Sequence, residues 1–334
     1  MTTVTTRRSH RGWVRRILIV LLAVIVALPL VGAVYQGVAT LADRRAYPPP
    51  GRLVDIGGYR LHLYCTGSGS PTVILDALFP GTVSNWAWVQ PEVAKTTRVC
   101  AYDRAGLGWS DRGPQPRDAQ QHAAELQALL SAAAVPGPYV LVGHSWGGLV
   151  VRTYADRRPD QVAGMVLIEA TNPDTWRRLG EPEGVGVDHT MLEVAPYLAR
   201  VGAFRSGLIR SYATDPDLPS PQREQLQAFF DTVKSLQTIR DVDSAFPATL
   251  EQVRHTGGLG AKPLAVVLGS KGDGSDEHLR DLFAAQARLS SDSVTRVVDG
   301  ATHAGLVDNE RYARQTTAAI LDVVQAARTG TPLA

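Results

Sequence analysis

The hexapeptide Gly143-His144-Ser145-Trp146-Gly147-Gly148 follows directly on the apolar run Tyr139-Val140-Leu141-Val142. A strand that delivers a serine into a turn flanked by glycines implies a sharp strand-to-helix connection. Such a turn holds the hydroxyl exposed in strained backbone geometry, where a neighbouring base can activate an otherwise weak nucleophile. Gly143 and Gly147 carry no Cβ, so strand and helix can approach where larger side chains would collide. The stretch that follows, Leu149-Val150-Val151-Arg152-Thr153-Tyr154-Ala155, is competent for helix. His303 stands late in the chain, as the order serine, acid, histidine requires. The bland alternative, a chance G-x-S-x-G in a glycine-rich loop, has no need of this context.

Short β-type runs recur at 53–56, 60–65, 72–76, 98–102, 139–142, 165–168, 264–268 and 294–298. After the first hairpin they alternate with helical stretches, which predicts a mostly parallel sheet covered by helices on both faces. The helix at 118–134 carries Ala123, Leu126, Leu130 and Ala133 at helical spacing and stops at Pro136-Gly137-Pro138. A second, at 310–327, has Ala318, Ile320, Leu321, Val324 and Ala327 on its apolar side and closes the fold. Between the sixth and seventh strands lies an insertion, 172–262, with helical stretches at 191–200 and 220–236. A structureless loop of that length does not suit a compact domain, so the segment reads as a helical lid. Trp176, Tyr197, Phe204, Phe229 and Phe230 either line an acyl pocket beneath it or form the lid's own core.

With 334 residues, 44% hydrophobic and 20% charged, the chain can bury one substantial core and is neither disordered nor repetitive. A net charge of +2 is too small and dispersed for a nucleic-acid binder. Arg7, Arg8, Arg11, Arg15 and Arg16 instead precede an uncharged apolar run at 17–34. The run is about long enough to cross a hydrocarbon core, and arginines of this kind stay on the cytoplasmic side. The expected organisation is a basic cytoplasmic segment 1–16, a membrane anchor 17–35, a polar tether 36–51 ending in Pro48-Pro49-Pro50-Gly51, and a folded domain facing outward. A signal peptide cleaved after Ala33, giving a secreted protein, is the rival reading, although the run exceeds a typical signal region. A buried core helix would leave five arginines beside an apolar cylinder with no polar face.

Taken together, residues 54–327 resemble the α/β-hydrolase superfamily. The stretch 97–110, including Asp103-Arg104-Ala105-Gly106-Leu107-Gly108, is similar to the fourth strand and following loop of that fold; the elbow is similar to its nucleophile turn, and Val298-Asp299-Gly300-Ala301-Thr302-His303 to its histidine loop. The resemblance implies an α/β-hydrolase fold: a mostly parallel eight-stranded sheet flanked by helices, with core segments 52–171 and 263–328 and the lid 172–262 inserted after the sixth strand. One N-terminal transmembrane helix precedes it. In that fold the second and fourth strands are antiparallel neighbours, so a disulfide between Cys65 and Cys100 is expected, the alternative being two buried thiols.

The resemblance also implies a serine, histidine and acid set. Ser145 is the candidate nucleophile and His303 the candidate general base. His62 on an early strand, His122 within the helix at 118–134 and His144 beside the nucleophile do not suit that role. Two positions remain open for the acid: Glu169, ending the sixth strand, and Asp273, in the loop after the seventh, with Asp276 behind them. The oxyanion hole needs two backbone amides, expected from Trp146 and Phe79. Ala77-Leu78-Phe79-Pro80-Gly81 departs from the family's His-Gly-x-Gly at this place, which leaves the amides but alters the geometry. Asp103 and Arg104 read as structural supports of the site edge. No zinc cluster, P-loop or dinucleotide fingerprint stands in the sequence, so neither metal nor cofactor is implied. The expected activity is hydrolysis of a small-molecule carboxylic ester or related acyl bond. The alternatives are a non-catalytic module holding an apolar ligand, or a cofactor-free peroxidase-like or C–C bond hydrolase. Haloalkane and epoxide hydrolysis are disfavoured, because relatives with those reactions place aspartate at the elbow.

Overall fold

The computed structural model describes residues 10–181, 183–184, 188–209, 216–271 and 277–333. Eight strands form one sheet: β1 (Arg52–Asp55), β2 (Arg60–Thr66), β3 (Thr72–Asp76), β4 (Val99–Tyr102), β5 (Tyr139–His144), β6 (Val162–Ile168), β7 (Leu264–Gly269) and β8 (Ser293–Val298). Their order is β1-β2-β4-β3-β5-β6-β7-β8, with β1–β2 and β2–β4 antiparallel and every other pair parallel. Nearly every residue of β3, β5, β6 and β7 is buried, because helices cover both faces of the sheet; this is why these strands read as apolar runs rather than alternating patterns. Cys65 and Cys100 stand directly opposite in the β2–β4 register and are bonded, with Cα atoms 4.0 Å apart.

The helices are α1 (His10–Ala46), α2 (Gln90–Val93), α3 (Ala119–Ala132), α4 (Gly147–Arg157), α5 (Thr175–Leu179), α6 (His189–Arg200), α7 (Ser220–Phe230), α8 (Val233–Ser244), α9 (Phe246–Arg254), α10 (Glu277–Ala285), α11 (Gly305–Asp308) and α12 (Glu310–Thr329). The pleat divides the core in two. Ile74, Leu141, Met165, Leu167 and Val266 face α3, α4 and α10, while Val73, Val140, Val142, Val166 and Val267 face α2, α11 and α12. The insertion between β6 and β7 carries α5 to α9.

Two expected boundaries move. The tether expected at 36–51 is helical through Ala46, because no proline or charge interrupts Val38-Ala39-Thr40-Leu41-Ala42 and the chain turns only at Pro48. The helical stretch expected at 220–236 is broken at Asp231-Thr232, where the Thr232 hydroxyl oxygen accepts from the Ser235 amide at 3.1 Å and starts α8.

Candidate active site

Ser145 follows β5 and precedes α4 with φ +53°, a left-handed conformation that few side chains adopt. Its amide donates to the Ile168 carbonyl and its carbonyl accepts from Thr171 and Gly148, each at 3.0 Å, so the turn is pinned on three sides. The flanking glycines are sterically required. A Cβ on Gly143 would lie 2.6 Å from the Gly148 nitrogen, and one on Gly147 would lie 2.2 Å from the Asp76 carbonyl oxygen at the end of β3. The serine itself is half-buried.

His303 is carried by the loop after β8, which is tied to the elbow through the residue next to Ser145. His144 Nε2 lies 3.1 Å from the His303 carbonyl oxygen, and the two rings are 4.9 Å apart. Burial, then the neighbouring His303, push His144 well below the ordinary histidine range. It is neutral, and since a carbonyl only accepts, its proton sits on Nε2. The Nδ1 of His303 meets Glu169 Oε2 at 2.7 Å, while Glu169 Oε1 accepts from the Gly269 amide at 3.2 Å. Glu169 is 1% exposed and has φ +35° just beyond β6. A histidine so held presents Nε2 outward and can accept a proton while the carboxylate stabilises the imidazolium. Asp273 and Asp276 lie outside the described residues.

The two loops expected to supply oxyanion donors face one another. The Trp146 and Phe79 rings are 5.7 Å apart, and Trp146 is the N-cap of α4, whose N-terminal amides and dipole favour negative charge. Behind this pair lies the buried Arg104. Its Nη1 donates to Asp76 Oδ1 and, at 2.7 Å, to the Ala77 carbonyl, while its Nη2 donates to the Leu78 carbonyl at 2.6 Å. The guanidinium also lies 5.8 Å from the centre of the Phe79 ring. Tyr102 donates its hydroxyl to Asp76 Oδ2 at 2.6 Å. Burial raises the Asp76 carboxyl above its ordinary range, an effect that Arg104 and Tyr102 offset only in part. Asp103 accepts from the amides of Val83 (2.8 Å) and Trp109 (3.0 Å) and meets His62 Nδ1 at 2.9 Å. Both residues thus support the loops around the site, and neither faces the elbow's hydroxyl by any of these bonds.

Asp308, buried beneath the histidine loop, went unnoticed in the sequence. It accepts from Asn85 Nδ2 at 3.2 and 3.0 Å and so ties the loop of His303 to the turn after Phe79. The apolar stretch Ala304-Gly305-Leu306-Val307 before it was the available signal. Of the five lid aromatics, Trp176 packs on Phe246, whose ring is 5.2 Å from Trp146. Phe204 and Phe230 join Phe79 against a cluster of Leu192, Ala195, Leu236 and Ile239, whereas Phe229 packs on Trp109 and Tyr197 faces outward.

The fold and this elbow define a class. A model of the α/β-hydrolase fold matches residues 73–205, and the chain has that fold. It is 35% identical over 130 residues to 2-hydroxymuconate semialdehyde hydrolase of Pseudomonas sp. (strain CF600), covering 36% of this chain and 44% of that protein. The chain spans about half the length, or less, of this and other curated relatives that it matches. Among solved structures it superposes on epoxide hydrolase VrEH1 from Vigna radiata with a TM-score of 0.63 at 16% identity, covering 82% of this chain and 97% of that one. A bacterial membrane phospholipase A superposes with a TM-score of 0.58 at 18% identity over 94% and 99% of the two chains. At these identities the structural likeness concerns the fold.

Proposed function

We propose that this protein is a membrane-tethered serine hydrolase that cleaves carboxylic esters through an acyl-enzyme on Ser145. His303 acts as general base and then as general acid, and Glu169 completes the triad. The observation that carries this reading is the 2.7 Å contact between His303 Nδ1 and Glu169 Oε2 in a loop held on the residue before the elbow serine. The amides of Trp146 and Phe79 stabilise the tetrahedral oxyanion, a contribution on the order of 10²–10³-fold in rate per donor. Phe79 touches both apolar clusters under the lid, which supports an apolar acyl or alcohol group in the substrate.

The chain is tethered by α1. Its apolar run is exposed along most of its length, with mean hydropathy 3.2, and the arginines before it support a domain facing the outer side. Contacts on both sides of Ala33, namely Gly32 against Val201 and Gln36 donating to the Asp231 carbonyl at 3.4 Å, support an uncleaved helix over a signal peptide.

The full-length protein in detergent is expected to gain one adduct mass with a fluorophosphonate, and Ser145→Ala to gain none; an unlabelled folded wild type would sink the reading. The likeness to the semialdehyde hydrolase favours C–C bond hydrolysis as the second reading. Turnover of 2-hydroxymuconate semialdehyde with no turnover of p-nitrophenyl esters would install it.

A further inference from the structure

We propose that the lid of this protein lies in the membrane: the end of α6 and the turn after it are seated in the outer leaflet beside α1. This rests on the reading of α1 as a membrane span and goes beyond it, because a tether fixes only where the chain is held, not which face of the domain meets lipid.

Residues 17–42 hold no charge. At 1.5 Å rise per residue they extend about 39 Å, against roughly 30 Å of bilayer hydrocarbon. With Arg15 and Arg16 at the inner boundary, Gly32 and Tyr35 stand about 23 and 27 Å along the helix from Ile17, still inside the hydrocarbon. The lid touches α1 at that depth. A Cβ on Gly32 would lie 2.2 Å from the Val201 carbonyl oxygen, and one on Gly202 would lie 3.1 Å from the Tyr35 ring. Val201 and Gly202 follow directly on α6.

The lid surface at this level matches that environment. Leu208 is 82% exposed and Tyr197 62%; Met191 and Val194, each 43% exposed, continue the apolar surface along α6, where exposed Glu193 stands beside them. Arg205, between these apolar residues, reaches toward the headgroup level, where it pairs with Asp43 at 2.6 Å and donates to Gln36 Oε1 at 3.3 Å. A long cationic side chain that lays its stem on apolar surface and lifts its charge to the interface behaves in this way. Arg44 and Arg45, exposed just past the uncharged run, come at the level of lipid phosphates, and Arg200, exposed at the end of α6, is a third cation close by. An apolar stripe continuous with a transmembrane helix and edged by cations fits a leaflet of phospholipid. An ester substrate then reaches the lid from the bilayer.

The test uses the full-length protein in phosphatidylcholine vesicles. Cys65 and Cys100 are bonded, so an added cysteine takes an environment-sensitive fluorophore alone. Leu208→Cys and Tyr197→Cys are compared with Val26→Cys within the span and with Ser131→Cys, exposed at the end of α3 on the opposite edge of the sheet. Lipids carrying a nitroxide on the acyl chain are expected to quench the labels at 197 and 208 as they quench the label at 26, and to leave 131 bright. Quenching at 26 with none at 197 and 208 would overturn the proposal while preserving the anchor. No quenching at any position, 26 included, would overturn the anchor reading and the proposal together.

Discussion

A carboxylate that offers one oxygen to a histidine and the other to a backbone amide is fixed in depth as well as in rotation. Glu169 is held so, between His303 Nδ1 and the Gly269 amide. Glu169→Gln preserves this shape but lets an amide N–H face Nδ1, favouring the wrong tautomer of His303. The expected outcome is a kcat lower by about 10³–10⁴-fold with an unchanged melting temperature, while Asp273→Asn keeps kcat near wild type. The opposite pattern in ester turnover would move the acid to Asp273. The sequence left both open because each follows a strand at the same edge of the sheet; what supports Glu169 is its contact with His303 Nδ1, made from a main-chain turn at φ +35° that no residue pattern encodes. Arg104 is a second case. Its place in the chain was legible, but its three acceptors, Asp76 and the carbonyls of Ala77 and Leu78, come together only in the fold. A lysine is a single point donor and cannot span them. If the Phe79 amide is an oxyanion donor as proposed, its loop serves the transition state more than the ground state, and Arg104→Lys should lower kcat by about 10²-fold with KM nearly constant. A rise in KM alone would mean that Arg104 shapes substrate binding instead.

At the scale of elements, the strands were legible because doubly covered parallel strands are continuous apolar runs, and β5 through β8 begin within a few residues of their expected positions. The lid was less so. Thr232 ends one helix and caps the next without a glycine or proline to mark it, and α5 to α9 pack against apolar neighbours rather than against a sheet of fixed period. The helix after the elbow depends on a contact made far away in sequence. Gly147 sits so close to the end of β3 that an added Cβ would fall 2.2 Å from one backbone oxygen and 2.9 Å from the next, at Ala77. Backbone cannot yield as a flexible side chain does. Gly147→Ala should therefore push α4 away from the loop after β3, destabilise the protein by about 1–3 kcal/mol and slow fluorophosphonate labelling. Thermal unfolding and labelling rate read the two effects separately; a stable, fully reactive variant would show that β3 and α4 have room to part.

Over the whole molecule, α1 is two objects in one helix: an exposed apolar rod at its start and a packing partner of the lid at its end. The second role was hidden in the sequence, because Gly32, Gln36 and Asp43 form no pattern until Val201, Asp231 and Arg205 lie against them. Two glycines in the same helix allow that role to be isolated. A Cβ on Gly32 would meet the Val201 carbonyl oxygen at 2.2 Å and its carbon at 3.0 Å, whereas one on Gly37 meets nothing within 4 Å. Alanine gains about 1 kcal/mol over glycine in a helix interior at either site. The overpacking term, about 1–3 kcal/mol, falls on Gly32 alone. Gly37→Ala is thus expected to hold or raise the melting temperature of the full-length protein in detergent. Gly32→Ala is expected to lower it and to hasten proteolysis in the 201–209 turn as the lid loses its hold on α1. Equal shifts in the two variants would mean that helix and lid move independently, and the depth at which the lid sits would then no longer be set by α1.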